Sequence, residues 1–348
     1  MNIHQATRSY EVWLRAQTRV VERDLRFKHA QMSTGPFRFL RATFYRWLEL
    51  WPTVCARAAT APRVVSVGDL HVENFGTWRD VEGRLVWGVN DFDEVCALPY
   101  TQDLIRLATS AVLASRESHL VARPADACEA ILEGYVAGLE RGGRAFVLAE
   151  RGRWLHAIAN SEARNPVAFW KKLTASRPVS SRLVPLAALR AMMPDRSLRC
   201  VVVQRVAGLG SLGRMRFVAL AEWGGAFVAR EAKAYVPPAA SRLMKVPASS
   251  GAQALLKQAV RARDPFYVIE GGWILRRLAP DCTRIELSDL PKRRDEHRLL
   301  RAMGMETANM HARRARAVLA HLKTARRRWL ERAAVDMADA VSEDFRQW

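Results

Sequence analysis

The sequence predicts a mixed α+β chain in three stretches: a helical part, a small β-rich part and a helical close. Three observations predict it. Apolar residues recur at helical spacing over 37–51, 103–115 and 124–139. Near residue 198 the character changes to β-branched runs punctuated by glycines. From Leu290 to the end a helical pattern returns, rich in arginine. The divisions fall at 1–197, 198–289 and 290–348.

Residues 1–35 read as polar, basic and helical, with a break at Ser33-Thr34-Gly35-Pro36. Phe37, Leu40, Phe44, Trp47 and Leu48 share one face of an amphipathic helix that Pro52 ends. Strands are expected at 63–67 and 85–90, with a polar loop between them. Buried helices follow over 103–115 and 124–139, the second closed by Gly142-Gly143. Residues 150–198 read as helical and loop-rich without a clear period. Strands are then expected at 198–206, 217–221 and 226–235, the last two joined by Gly224-Gly225. A short helix over 252–263 and strands at 266–269 and 272–278 complete the β-rich part. There is no internal repeat and no low-complexity segment.

At 348 residues, 49% hydrophobic and 26% charged, the chain has ample material for a core, which argues against disorder. Lys plus Arg is 55 against 35 Asp plus Glu, a net charge of +20. That charge suits a phosphate-rich partner: a nucleotide, a nucleic acid or an anionic membrane surface. The basic residues are spread along the chain, however, and most read as solvated helix faces. Arg313, Arg314, Arg316, Arg326, Arg327 and Arg328 are of this kind. The five cysteines are far apart and form no Cys-x-x-Cys, which argues against a disulfide framework or a structural zinc site. Residues 1–19 do not read as a signal peptide, and no apolar run is long enough to span a membrane. A cytoplasmic location is the expectation.

The chemistry-bearing stretch is Val64-Val65-Ser66-Val67-Gly68-Asp69-Leu70-His71-Val72-Glu73-Asn74, followed by Val89-Asn90-Asp91-Phe92-Asp93-Glu94. A β-branched run delivers Asp69, Asn74 follows five residues later, and a second apolar run delivers Asp91. Kinase-type phosphoryl transfer uses this set: an Asp that accepts the acceptor's proton, and an Asn and a second Asp that hold Mg²⁺. The separation of Asn74 from Asp91 fits an intervening hairpin. Asp93 is either a further metal contact or a solvated acid. His71 reads as a neutral ring bonded to a local carbonyl, and Asp103 as a residue at or near a helix N-cap. Further on, Gly208-Leu209-Gly210-Ser211-Leu212-Gly213 keeps a G-x-G-x-x-G spacing between strand candidates, which would let backbone amides approach phosphates.

Together, Gly-Asp-Leu-His-x-x-Asn, Asp-Phe-Asp and Pro-x-x-x-Asp-Leu resemble the aminoglycoside phosphotransferase branch of the protein-kinase-like fold. The chain is more closely similar to the bacterial family called domain of unknown function 2252 (DUF2252). That similarity extends to Pro36-Phe37-Arg38-Phe39-Leu40-Arg41, the glycine turn, Arg230-Glu231-Ala232-Lys233 and Arg276-Arg277-Leu278, and covers most of residues 30–315. The resemblance implies a two-lobed α+β fold, with ATP and Mg²⁺ bound between a small β-rich lobe and a larger helical lobe. It implies Asp69 as catalytic base and Asn74, Asp91 and Asp93 as metal contacts. Gly208, Gly210, Ser211 and Gly213 would bind phosphates with Lys233 or Arg230, which point to opposite faces of one strand. The 252–263 helix offers no Glu to pair with Lys233, and Glu231 would substitute. The glycine turn follows the catalytic loop by more than a hundred residues, so the fold would be circularly permuted.

The leading expectation is therefore a kinase-like phosphotransferase. A pseudokinase or nucleotide-sensing module and a nucleic-acid-binding protein are the alternatives. The acceptor stays open among a small molecule, a protein and a nucleotide.

Overall fold

A computed structural model describes residues 1–148, 153–159, 165–243, 251–289 and 295–348. The expected division at Leu290 and parts of the loop-rich stretch, at 150–152 and 160–164, lie outside the described residues.

The chain opens with four helices: α1 Ile3–Gln17, α2 Glu22–Met32, α3 Pro36–Ala42 and α4 Phe44–Val54. The single helix expected over 37–51 is thus two. Thr43 breaks it by turning its hydroxyl back onto the Phe39 carbonyl, 2.7 Å away. Pro52 does not end α4 but sits in its last turn, where its missing N–H forfeits only one helical bond.

The stretch expected as one loop contains a strand, β2 Phe75–Arg79, which forms a hairpin with β3 Leu85–Val89, the strand expected at 85–90; β5 Phe146–Val147 extends the pair. Before it comes β1 Arg63–Ser66, and after it β4 Cys96–Pro99; these two pair antiparallel, with Ser66 opposite Cys96. The β1–β4 pairing makes the loops that leave β3 and β1 run side by side, although 17 residues separate Asn74 from Asp91.

Two helices follow, α5 Tyr100–Arg116 and α6 Pro124–Glu140. Every residue of α5 from Tyr100 to Ala114 is buried, so it forms the axis of the helical body. After α7 Arg153–Ala159, α8 Pro166–Thr174 and α9 Leu186–Ala191 comes a five-stranded antiparallel sheet. Its strands are β6 Val201–Gln204, β7 Arg216–Trp223, β8 Ala226–Ala234, β9 Val268–Glu270 and β10 Trp273–Leu278, in the spatial order β6-β7-β8-β10-β9. The Gly224-Gly225 link has both φ angles positive, +59° and +79°, which the right-handed strand twist favours and side chains resist. α10 Ala240–Leu243 and α11 Gly251–Gln258 lie between β8 and β9, and α12 Glu296–His311, α13 Ala315–Leu322 and α14 Trp329–Gln347 close the chain.

One large apolar cluster unites the helical body with the β1–β4 pair. The five-stranded sheet has two small clusters of its own, one on each face. Leu189, Val202, Phe217, Ala232 and Leu275 make the first, and Leu173, Val203, Val218, Ala229 and Leu278 the second. Arg313, Arg314, Arg316 and Arg326–Arg328 are exposed. Among the described residues no helix is long and apolar enough to cross a membrane.

α12 packs along α6 with backbone nearly touching backbone. A Cβ at Gly134 would lie 1.9 Å from the Arg301 carbonyl oxygen, and one at Gly304 would lie 2.0 Å from that of Ile131. Either contact requires the helices to part. Gly134→Ala and Gly304→Ala are each expected to cost about 3 kcal/mol in urea unfolding. At Gly83, φ is +74° and a Cβ meets nothing within 4 Å. Gly83→Ala should cost only about 1 kcal/mol.

Candidate functional site

The site begins with a buried carboxylate. Asp103 lies in the first turn of α5, but it does not cap that helix. Its Oδ2 accepts from the Val67 amide at 2.7 Å, and its Oδ1 from the Gly68 amide at 2.9 Å and the Ser66 hydroxyl at 2.5 Å. His311 Nε2 donates to it from α12 at 3.1 Å. The expected structural role therefore serves the motif loop and not the helix terminus. Gln102 Nε2 adds a bond to the Gly68 carbonyl at 2.9 Å. Gly68 has φ +84°, and a Cβ there would stand 2.2 Å from the Glu94 carbonyl oxygen, so the two loops touch at a point that admits only glycine.

Asn74 ties the loops together. Its Nδ2 donates to the carbonyls of Asp69 and Asp91 at 2.8 and 3.3 Å, while its Oδ1 accepts from the Asp91 amide at 2.9 Å. The β2–β3 hairpin lies between its two ends, as the spacing implied. His71 is held neutral by burial, with Arg41 and Arg106 adding to the effect. Its Nδ1 accepts from the Glu73 amide at 3.2 Å, so its partner is a local N–H and not a local carbonyl.

Arg106, one turn along α5 from Asp103, donates from Nε and Nη2 to Asp69 Oδ1 at 2.8 and 2.5 Å. Oδ2 stays on the other side, toward the glycine turn: a Cβ at Gly210 would be 3.5 Å from it. Burial pushes the Asp69 carboxyl upward against the pull of Arg106, and the charge of Asp91 adds to the rise. Arg106 is itself fully buried and stacks on Phe44 and Trp47 at 4.8 and 4.9 Å. The sequence reading missed it. The available signal was a lone arginine inside an otherwise buried helix, three residues after Asp103.

Lys233 reaches this site from the centre of the sheet. Its Nζ is 2.5 Å from Asp93 Oδ1 and 3.4 Å from Asp91 Oδ1. Arg214 takes the other Asp93 oxygen at 3.1 Å and faces Glu94 at 3.6 Å. Asp93 is thus the acid that holds Lys233. The Asp91 side chain keeps 39% of its surface exposed. Although burial opposes it, Lys233 and Arg276 hold the Asp91 carboxyl well below the usual carboxylate range. Burial pushes Glu94 up to about 8 despite Arg214.

Two expectations about β8 change here. Glu231 does not pair with Lys233. It is fully buried and serves Arg205, Arg216 at 2.9 Å and Arg276 at 2.7 Å, which together hold it ionised against its burial. Arg230 points to the opposite face, where it donates to the Met192 carbonyl at 2.8 Å and stacks on Phe266. Of the two cations, Lys233 faces the motif loops. The cause is the two-residue alternation of the strand.

The glycine turn lies between β6 and β7 and forms a 3₁₀ turn over Leu209–Ser211, with Gly208 and Gly213 at φ +76° and +96°. Ser211 Oγ accepts from Arg216 at 2.8 Å, and Lys28 Nζ donates to the Gly210 carbonyl at 3.1 Å. Lys28 is buried over the rings of Tyr10 and Tyr45, and burial beside Arg214 pushes it down to about 8.

These groups surround two adjoining spaces. Beside Asp69 is a tight cavity of about 40 Å³, lined also by Lys28, His71, Asn74, Gly210 and Arg214. It holds a few waters at most. Next to it runs a cleft of about 630 Å³ between the sheet and the loops. Phe169, Leu173 and Leu278 give the cleft an apolar wall, and Arg205, Arg216, Arg276 and Arg284 a cationic one. Asp91, Gly208 and Arg284 border both spaces. The cleft has the size and mixed lining of a small-molecule site. Among the described residues no three His, Cys, Asp or Glu side chains form a ready-made metal cage.

Residues 19–182 match the model of a family described as an uncharacterized protein conserved in bacteria (DUF2252). The match supports the family over that stretch, which carries Asp69, Asn74, Asp91 and Asp103 and ends before the glycine turn. No curated protein and no solved structure matches the chain.

Asp103→Ala would strand the donors of 66–68, and a loss of about 3 kcal/mol or more is expected in denaturant unfolding. Lys28 gives a pH test. Between about 8 and the ordinary lysine value of 10.5, the unfolded chain holds a proton that native Lys28 has shed. The stability difference, wild type minus Lys28→Met, should therefore rise with pH through that window, by up to about 3 kcal/mol. The buried cysteines work in the opposite sense but cancel in the difference.

Proposed function

We propose that the protein is a kinase-like phosphotransferase that moves the γ-phosphoryl group of ATP to an acceptor hydroxyl or amine. The observation that carries this reading is convergence. Asp69, Asp91 and the glycine turn come from distant parts of the chain and border one tight cavity, and Lys233 stands behind it with its Nζ 3.4 Å from Asp91 Oδ1. The glycine turn joins the first and second strands of the sheet as ordered in space, and the lysine stands on the third. Protein kinases place their glycine loop over the phosphates and carry the lysine on the third strand. On this reading the sheet is the small lobe, the helical body the large one, and the chain is circularly permuted.

ATP would lie in the 630 Å³ cleft, its base against Phe169, Leu173 and Leu278 and its phosphates toward Arg205, Arg216, Arg276 and Arg284. Glu231 neutralises only one of the three arginines it binds, so the sheet face keeps excess positive charge for a polyanion. Asp91 fits a Mg²⁺ ligand: it is ionised and partly exposed, and Mg²⁺ commonly takes one or two carboxylates and completes its shell with phosphates. Bound there, the ion would neutralise charge developing on the phosphates. Asp93 and Asn74 are engaged by Lys233, Arg214 and the loop backbone, so their part is to hold Asp91 and the lysine in place.

Asp69 would accept the proton of the acceptor as its oxygen or nitrogen bonds to the γ-phosphorus. The bond from that phosphorus to the bridging oxygen breaks, and ADP leaves. Arg106 keeps Oδ1 fixed and leaves Oδ2 for the proton. The upward push on Asp69 makes it a better base at neutral pH.

The two bonds from Arg106 to Asp69 Oδ1 also favour a second reading, a nucleotide-sensing module. It predicts that ATP with Mg²⁺ raises the melting temperature while no phosphoryl group is transferred. The phosphotransferase reading predicts turnover of γ-labelled ATP, reduced about 10²- to 10⁴-fold by Asp69→Asn. Asp91→Ala should abolish the Mg²⁺ dependence of binding. Unchanged turnover in both variants would sink the reading.

A further inference from the structure

Behind the cleft, on the far side of Arg276 and Asn90, lies a second cavity of about 350 Å³. α11, the β9–β10 hairpin and the end of β2 enclose it, and none of the proposed phosphoryl-transfer steps uses it. Its charge is one-sided. Arg261, Arg276 and Arg277 line it, with Lys257 and Arg263 exposed at its rim, against one carboxylate, Asp264. Asp264 is occupied in accepting from the Phe266 amide at 2.9 Å, and its burial disfavours the ionised form.

The cavity also presents flat aromatic surface. Arg261 sits 4.1 Å over Trp78 and 4.9 Å over Phe92, and Tyr267 meets Phe92 edge-on at 5.7 Å. Polar capacity is left over. Arg261 Nε and Tyr267 Oη are buried and have no hydrogen-bond partner among the described residues. Arg277 stacks on Phe266 at 4.0 Å and makes no ion pair with a described residue. Buried donors without partners cost free energy that a ligand can recover. A cavity of this volume, with an aromatic wall and convergent donors, has the make-up of a ligand site.

We propose that this cavity is a second ligand site, separate from the cleft, for a small planar anion: an aromatic or heteroaromatic ring bearing a phosphate or carboxylate. The ring lies against Phe92 and Tyr267, and the anion meets Arg277, Lys257 and Arg261. Arg276 couples the site to the cleft, because it borders both spaces and also donates to Glu231 and faces Asn90 Oδ1 at 3.4 Å. The binding claim does not depend on the phosphotransferase reading.

Isothermal calorimetry on the full chain tests it, with phenyl phosphate as the probe and inorganic phosphate as the comparison. Saturable binding of phenyl phosphate is expected, tighter than that of inorganic phosphate and weakened by salt. Arg277→Gln and Lys257→Gln should each weaken it, Arg277→Gln by about ten-fold or more. Arg205→Gln, in the cleft alone, should leave it unchanged. Loss of binding in Arg205→Gln with none in Arg277→Gln would put the probe in the cleft and overturn the proposal. So would absence of binding to the wild-type chain, or equal binding of inorganic phosphate. ATP binding in the same variants is read separately, so failure of the phosphotransferase reading stays distinguishable.

Discussion

Asp93 joins the sheet to the helical body. Its two oxygens take Lys233 from β8 and Arg214 from the approach to β7, and it sits two residues from Asp91. The sheet and the helical body have separate apolar clusters, so polar ties set their register; the segment after β10 adds backbone bonds to β2, from Thr77 N–H to the Thr283 carbonyl and from Ile285 N–H to the Phe75 carbonyl. An ion pair at such a junction is worth less in net stability than in geometry. Removing one partner would strand a buried charge, whereas keeping both fixes where the sheet must stand. The cleft exists because that distance is fixed.

The motif loops obey a related constraint. Their backbone turns away from any strand, so their amides need partners from elsewhere. Asp103 supplies acceptors on one side, Gln102 an amide on the same helix turn, and Asn74 both a donor and an acceptor between the loops. Three side chains thereby replace a missing ladder. The result fixes the positions of Asp69 and Asp91, which the proposed phosphoryl transfer would require. The α6–α12 packing extends this rigidity through His311, which reaches Asp103 from one side and Tyr135 from the other.

The charge of +20 divides into two kinds of arginine. Those near the C-terminus are exposed, as a solvated helix face requires. Those of the sheet and α5 are buried or half-buried and share few carboxylates: Glu231 serves three, and Asp69 is held by one from a helix that is otherwise sealed. The bulk charge of the sequence does not distinguish them. Burial does, and it is the enclosed set that gives the cleft its cationic wall.

The sequence by itself determined the local elements and the acids. The hairpin between Asn74 and Asp91, the glycine-linked pair β7–β8 and the buried helices α5 and α6 were legible because apolar period and glycine placement act within a few residues. It misjudged Thr43 and Pro52, where a single hydroxyl and a terminal position outweighed the periodic pattern. Only the tertiary structure decided which cation faces the acids, that Glu231 serves arginines and not Lys233, that Asp103 anchors a loop, and that Arg106 and Lys28 belong to the site at all. Alternation along β8 allows Arg230 and Lys233 equally, since a strand has two faces and the sequence does not say which is covered. That choice is made by what packs against the sheet: Met192 and Phe266 meet Arg230, and the acids that meet Lys233 lie more than a hundred residues away in the chain.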